Sequence, residues 1–233
     1  AYMDQVSGTN FYIYQDKDDF SFGIDAILLS DFTNAKKNHI DLCTGNGIVA
    51  LRLAYLYKDV SIVGADIDHK AIELFKKSIS INKLDERVTA MEMDIREVEK
   101  HFKKNAFDSL SVNPPYLNPK DNIASGDYKR QELLLNLDDI ARAASYLLKP
   151  YSKIYMVHRP ARLVDIVLSF KNHGINLRKL RAVKPFAEKK ANMILLELEK
   201  SEKVGFDYMN ELVVYKADGT YTEEVKEIYY GNE

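Results

Sequence analysis

Four consecutive residues, Asn113-Pro114-Pro115-Tyr116, combine two hydrogen-bond acceptors, two rigid rings and an aromatic face. Proline fixes φ, and a residue that precedes proline is held extended, so the Asn113 amide oxygen and the Pro114 carbonyl have little freedom to move. Such a pair suits a planar nitrogen nucleophile, for example the exocyclic amine of adenine, whose lone pair is delocalised into its ring. Acceptors on both N–H bonds hold that nitrogen partly pyramidal and lessen the delocalisation. Tyr116 offers a face on which an extruded base can stack. With an electrophile as strong as a sulfonium methyl, positioning for in-line transfer supplies much of the remaining catalysis.

A second group lies upstream. Asp41-Leu-Cys-Thr-Gly-Asn-Gly-Ile-Val-Ala50 reads as a strand end, a glycine turn at Gly45 and Gly47, and a helix start. Ligands of open α/β sheets bind beyond the carboxyl ends of strands, and glycine lets backbone approach them closely. Asp66 ends the next apolar run, nineteen residues after Gly47, where a carboxylate can accept two ribose hydroxyls. Asp94 ends the third, within reach of an adenine ring. The glycine turn with Asp66 also fits a dinucleotide fingerprint, and Asp66 or Asp94 could simply cap a helix.

The elements that must position these residues alternate. FYIYQDKDDFSFG reads as a hairpin about an acidic turn, and Asp25 as the cap of a short helix, AILLSDF. Strands are expected at HIDLC, SIVGAD, RVTAMEM, AFDSLSV, KIYMVH, LRKLRAVK and NMILLELE. Helices are expected at IVALRLAYLY, from His69 to Asn82, at IREVEKHF, around LLLNLDDIARAASYLL and at ARLVDIVLSF. A polar loop runs from Asn113 to about Tyr128; ELVVY adds a tail strand before a short helix after Thr220. This order implies a doubly wound, Rossmann-like α/β domain: seven strands, mostly parallel, closed by an antiparallel hairpin. A single domain covers residues 1–233, with extensions at 1–37 and 201–233 around a core at 38–200.

Composition excludes several classes. No apolar run reaches the length of a membrane helix, and AYMDQVSGTN, with an acid and no apolar stretch, is unlike a secretory signal. One cysteine, Cys43, excludes internal disulfides and agrees with the cytoplasm. The five histidines show no metal-ligand spacing, so no metal is expected. Net charge is −2, but Lys153 to Lys190 holds ten Lys or Arg against two acids, a local +8 that leaves −10 elsewhere. Segregation of this kind suggests a basic face for a polyanion.

DLCTGNG, VGADID, MDIRE and VNPPY, in this order, resemble the class I methyltransferases with an NPPY motif, a likeness covering roughly residues 38–160. FSFGIDAILLSDF, VHRPARLVDI and LVVYKADGTYTEEVKEIY extend it over nearly the whole chain. Together they resemble the bacterial tRNA adenine-37 N6-methyltransferases, which modify the base beside the anticodon of valine tRNA. The resemblance implies S-adenosyl-L-methionine as cofactor and the anticodon stem-loop of tRNA as partner; the sequence leaves the assembly open, a monomer being one option. It places Asp41, Gly45 and Gly47 at the methionine end of the cofactor, Asp66 at the ribose and Asp94 at the adenine, with Asn46, Ile67 and Ile95 also against the cofactor. Asn113, Pro114, Pro115 and Tyr116 would hold the target base, Asn113 also bordering the cofactor. Phe22 and Asp25 would cover the site, and Arg159, Arg162 and Lys184 would meet the RNA. Cys43-Thr44 stands where many class I enzymes have glycine and cysteine. Alternatives are a ribosomal RNA adenine or guanine methyltransferase and a release-factor glutamine methyltransferase. The latter usually carries a helical domain ahead of the core, whereas about 37 residues precede the first core strand here. A DNA adenine methyltransferase would need a recognition domain for which this chain has no room. An NAD-dependent oxidoreductase leaves NPPY without a task, and an inactive RNA-binding module leaves Asn113 and both acids without one.

Overall fold

A computed structural model describes residues 1–16, 23–115 and 136–231. Its centre is a sheet whose strands run β3 (Asn38–Leu42), β4 (Ser61–Asp66), β5 (Val88–Glu92), β6 (Phe107–Val112), β7 (Leu148–His158), β8 (Asn176–Lys184) and β9 (Met193–Glu199) along the chain. Across the sheet the order is β8-β9-β7-β6-β3-β4-β5. β5, β4, β3, β6 and β7 are mutually parallel, while β9 is antiparallel to both β7 and β8. These are the seven expected strands with their closing hairpin. Two further two-residue strands, β10 (Asp207–Tyr208) and β11 (Leu212–Val213), line the β8 edge and bring the sheet to nine. The expected tail strand ELVVY is realised only as β11 and an isolated Tyr215–Tyr221 bridge.

Helices cover both faces because the parallel strands are apolar on both. One layer joins α1 (Ile24–Phe32), α2 (Ile48–Leu56), α3 (His69–Ile81) and the final α7 (Glu223–Tyr230) over Ile62, Val88, Tyr155 and Leu195. The other seats α4 (Val98–His101), α5 (Leu137–Leu147) and α6 (Leu163–Lys171) over Ile40, Leu42, Leu110, Ile154 and Leu196. The IREVEKHF helix is shorter than its pattern suggests: a 3-10 turn at Ile95–Glu97 gives way to the single turn of α4.

The N-terminal hairpin pairs β1 (Tyr2–Gln5) with β2 (Tyr12–Gln15), turning at Gly8 (φ 71°); the acidic turn expected after Gln15 lies almost wholly outside the described residues. Alternation in YIYQ marked β2 as a strand, but its partner lies before it, in the polar opening residues. Asp25 is not the cap of α1, since Gly23 holds that position and Asp25 lies in the first turn. Among the described residues no helix is long and apolar enough to cross a membrane.

Candidate active site

Strand order reverses on either side of β3: its helix α2 leads to β4 on one side, while β6 pairs with the other. The carboxyl end of β3 is therefore the switch point at which open α/β sheets bind ligands. There the chain turns through Cys43 (φ 55°), Gly45 (φ 55°) and Gly47 (φ 89°) into α2. The turn is tied down by Thr44 N–H to the Ala65 carbonyl at 3.0 Å and Gly47 N–H to the Thr44 carbonyl at 2.9 Å.

The two glycines do different work. A Cβ on Gly45 would meet nothing within 4 Å, so this position presents bare backbone to open space. A Cβ on Gly47 would lie 2.1 Å from the Phe75 ring, so Gly47 is required by the packing of α3 beneath the turn. Gly64, which the sequence does not single out, is held to glycine by the same ring at 2.5 Å. Of the two turn glycines, Gly45 is the one that leaves room for a ligand.

Two hollows flank this turn and share Cys43, Asp66 and Asn113. One is lined by Ile67, Met93, Asp94, Ile95, Arg96 and Pro115. The other has Gln15, Asp16, Gly23, Asp25 and Thr44 to Asn46 in its wall. The sheet thus assembles Asp25, Gly45, Asn46, Asp66, Ile67, Asp94, Ile95, Asn113 and Pro115 around one divided cleft. Pro114 is buried in the chain between Asn113 and Pro115. Phe22 and Tyr116 lie outside the described residues, as does most of the polar loop after Asn113.

Asp66 forms the partition. Its Oδ2 accepts the Gly45 N–H at 2.8 Å and its Oδ1 the Asp68 N–H at 3.0 Å. Burial raises its pKa and those two backbone bonds oppose the rise. Asp68, rather than Asp66, caps α3 by accepting from Lys70 and Ala71 N–H. Asp94 does cap: it accepts the Arg96 N–H at 2.9 Å. It also holds the Arg96 guanidinium, with Nη2 at 2.6 Å, and that hydrogen-bonded pair keeps its pKa low.

Asp41 lies beneath the turn, 1% exposed and outside the walls of both hollows. It accepts from Thr44 Oγ1 and from Ser111 Oγ, each at 2.6 Å. Ser111 Oγ is 2.8 Å from His39 Nε2, and His39 Nδ1 is 2.7 Å from Ser109 Oγ. Register places these groups opposite one another, His39 beside Ser109 and Asp41 beside Ser111. Burial pushes Asp41 up to about 7 and His39 down to about 3. The cluster braces β3 against β6 at the point where both strands enter the site.

Asn113 follows β6 directly and is half-buried. Its Nδ2 donates to Asp25 Oδ2 at 3.2 Å. That bond commits the donor end of the amide to α1 and turns the acceptor Oδ1 the other way. His158, at the end of β7, is held neutral by burial and by the nearby Arg162 and Arg159, which lower its pKa to about 4.

The basic segment does not form one face. Arg159 and Arg162, exposed just beyond β7, and Lys184 at the end of β8 stand at the carboxyl end of the sheet with the cleft. Lys153, level with Ser109 near the start of β6, and Lys171, which ends α6, stand toward the opposite end. Lys153, Arg162, Arg181 and Lys184 are also paired, with Glu197, Asp165, Glu224 and Glu211. Among the described residues no group of three or more His, Cys, Asp or Glu could hold a metal ion.

A family model described as the methyltransferase small domain matches residues 17–161. A Porphyromonas gingivalis protein named tRNA1(Val) (adenine(37)-N6)-methyltransferase is 24% identical over 216 residues, covering 87% of this chain and 84% of its own. A ribosomal protein uL3 glutamine methyltransferase of Bradyrhizobium diazoefficiens is 32% identical over 110 residues, covering 47% of this chain and 34% of its own. Among solved structures, a predicted O-methyltransferase of Agrobacterium tumefaciens superposes with a TM-score of 0.72 at 17% identity, over 89% of this chain and 96% of that one.

Proposed function

This chain belongs to the methyltransferase small domain family, and from that premise we propose that it methylates N6 of adenine-37, beside the anticodon of valine tRNA, with S-adenosylmethionine as methyl donor. The observation that carries the reading is the orientation of Asn113 by Asp25 at the junction of the two hollows.

The residues present fit that cofactor. Gly45 offers backbone with no side chain in the way. Asp66, between the hollows, has oxygens that can accept ribose hydroxyls while still bracing Gly45 and Asp68. Ile67 and Ile95 offer apolar surface to an adenine, with Asp94 at its edge. The second hollow, walled by Asp16, Asp25 and Asp66, favours the positively charged methionine end. When bound, S-adenosylmethionine supplies an electrophilic methyl on a sulfonium. The chain's own residues then position the nucleophile: Asn113 Oδ1 and the Pro114 carbonyl accept the two N–H bonds of the target amine. Both acceptors are fixed in advance, one by Asp25 and one by proline geometry, and preorganised dipoles lose nothing to reorganisation during reaction. Tyr116 supplies the stacking face.

The relatives' names support tRNA as substrate, since the likeness to the P. gingivalis protein runs over most of both chains. The glutamine methyltransferase shares a shorter stretch, and the same pair of acceptors would serve a side-chain amide. Single-turnover methylation of valine tRNA at saturating cofactor decides the matter. Asn113→Ala should lower kcat by on the order of 10²–10³, as for loss of one preorganised polar group, and leave tRNA binding nearly unchanged. Asn113→Asp, which keeps an acceptor, should be milder. Wild-type kcat in Asn113→Ala would overturn the assignment of the site, and methylation confined to protein glutamine would overturn the RNA substrate.

A further inference from the structure

Gln15 belongs to neither the glycine turn nor the NPPY loop, yet it stands in the wall of the second hollow beside Asp16, Asp25 and Asn46. It occupies the inward face of β2 with Ile13, two positions earlier, and is only 2% exposed. Its Nε2 donates to Asp4 Oδ2 on β1 at 3.1 Å, which fixes the plane of the amide. Among the described residues its Oε1 accepts no hydrogen bond. A buried acceptor without a donor is costly and uncommon, and where it occurs at a site it points to a group the site is built to receive.

The wall around it specifies that group. Asp16, Asp25, Asp66 and Asp68 all border this hollow; Asp16 is ion-paired with Lys70, and the other three leave the wall acidic, so its complement is a cationic donor. β2 is itself held firmly: Tyr14 N–H donates to Ser78 Oγ at 2.9 Å and Tyr12 N–H to Asn82 Oδ1 at 2.8 Å, both on the α3 side. We propose that Gln15 Oε1 accepts a hydrogen bond from the α-ammonium group of the cofactor's methionine half, making the N-terminal hairpin part of the cofactor site. The proposal rests on the S-adenosylmethionine reading above and deepens it. Gln15 is a positioning residue: it aligns the amino-acid half and thereby the sulfonium, without touching the transferred methyl.

Calorimetry with three probes tests this: S-adenosylmethionine, S-adenosylhomocysteine and 5′-methylthioadenosine, which lacks the amino-acid half. Gln15→Met should weaken the first two by roughly 10- to 100-fold, the range for a lost bond to a charged group, and leave methylthioadenosine unchanged. The paired variant Asp4→Asn/Gln15→Glu keeps both the hairpin bond and an acceptor, and should restore binding of the first two. Equal losses for all three probes, or no loss for any, would overturn the proposal. Wild-type protein that binds methylthioadenosine but neither amino-acid-bearing probe would overturn the cofactor reading itself, and the proposal with it.

Discussion

At the scale of single residues, Gly45 and Gly47 sit two positions apart and answer to different masters, one to ligand space and one to Phe75. Substitution should separate them. Gly45→Ala places a side chain at φ 55° with room around it, costing about 1–2 kcal/mol of left-handed strain. Its larger effect should be on S-adenosylmethionine affinity. Gly47→Ala adds a collision 2.1 Å from the Phe75 ring to a φ of 89°. Strain and overpacking together should cost roughly 2–5 kcal/mol of stability. Denaturant unfolding alongside cofactor calorimetry reads both. A Gly47→Ala protein of wild-type stability would show that the ring has room to yield.

At the scale of elements, β3 and β6 are joined by a buried chain from Ser109 through His39 and Ser111 to Asp41, and the proton on that chain has a consequence for pH. The folded protein holds Asp41 protonated up to about pH 7, whereas the unfolded chain releases that proton near 3.8. Over that window the folded state binds more protons, so Asp41 makes stability fall as pH rises. His39 does the opposite: it stays neutral down to about pH 3 when folded but takes a proton below 6.5 when unfolded, so stability rises with pH. Between pH 4 and 6.5 the two nearly cancel. Denaturant midpoints across this range should show His39→Asn falling with pH and Asp41→Asn rising, relative to wild type. Parallel curves for all three would contradict the paired burial. The strands carrying these groups were legible in the sequence from their apolar runs, as were their order and the glycine turn. The chain of polar groups was not read, although HID and SLS each place polar residues two apart, hence on one face of a strand. Joining them requires the pairing register, which local pattern does not contain. The same limit explains the β1–β2 pairing, whose partner strand is mostly exposed and polar, and Gln15, whose meaning depends on a hollow built by three other elements.

At the scale of the whole molecule, the +8 segment divides between the two ends of the sheet, and only the end with the cleft should meet RNA. Reversing Arg159 and Arg162 to Glu should raise the KM for tRNA and flatten its salt dependence, by about 0.7–0.9 in log–log slope for each phosphate no longer neutralised. Reversing Lys37 and Lys171, an equal change of charge at the opposite end, should do neither; equal effects from both pairs would mean that net charge alone matters. Arg52 raises a matter of timing. It is 3% exposed and donates to Ser30 Oγ on α1, to the Ser7 carbonyl beside the first hairpin and to the Ile228 carbonyl in α7. A buried guanidinium left short of acceptors is strongly disfavoured. β8, too, pairs only with strands made after it. On the ribosome, therefore, the parallel half of the sheet can assemble as it emerges, while Arg52 waits for residue 228. The strand that carries Gln15 is already held by α3, so a chain stalled before α7 would hold a nearly finished sheet and cofactor wall around a buried guanidinium still short of one acceptor.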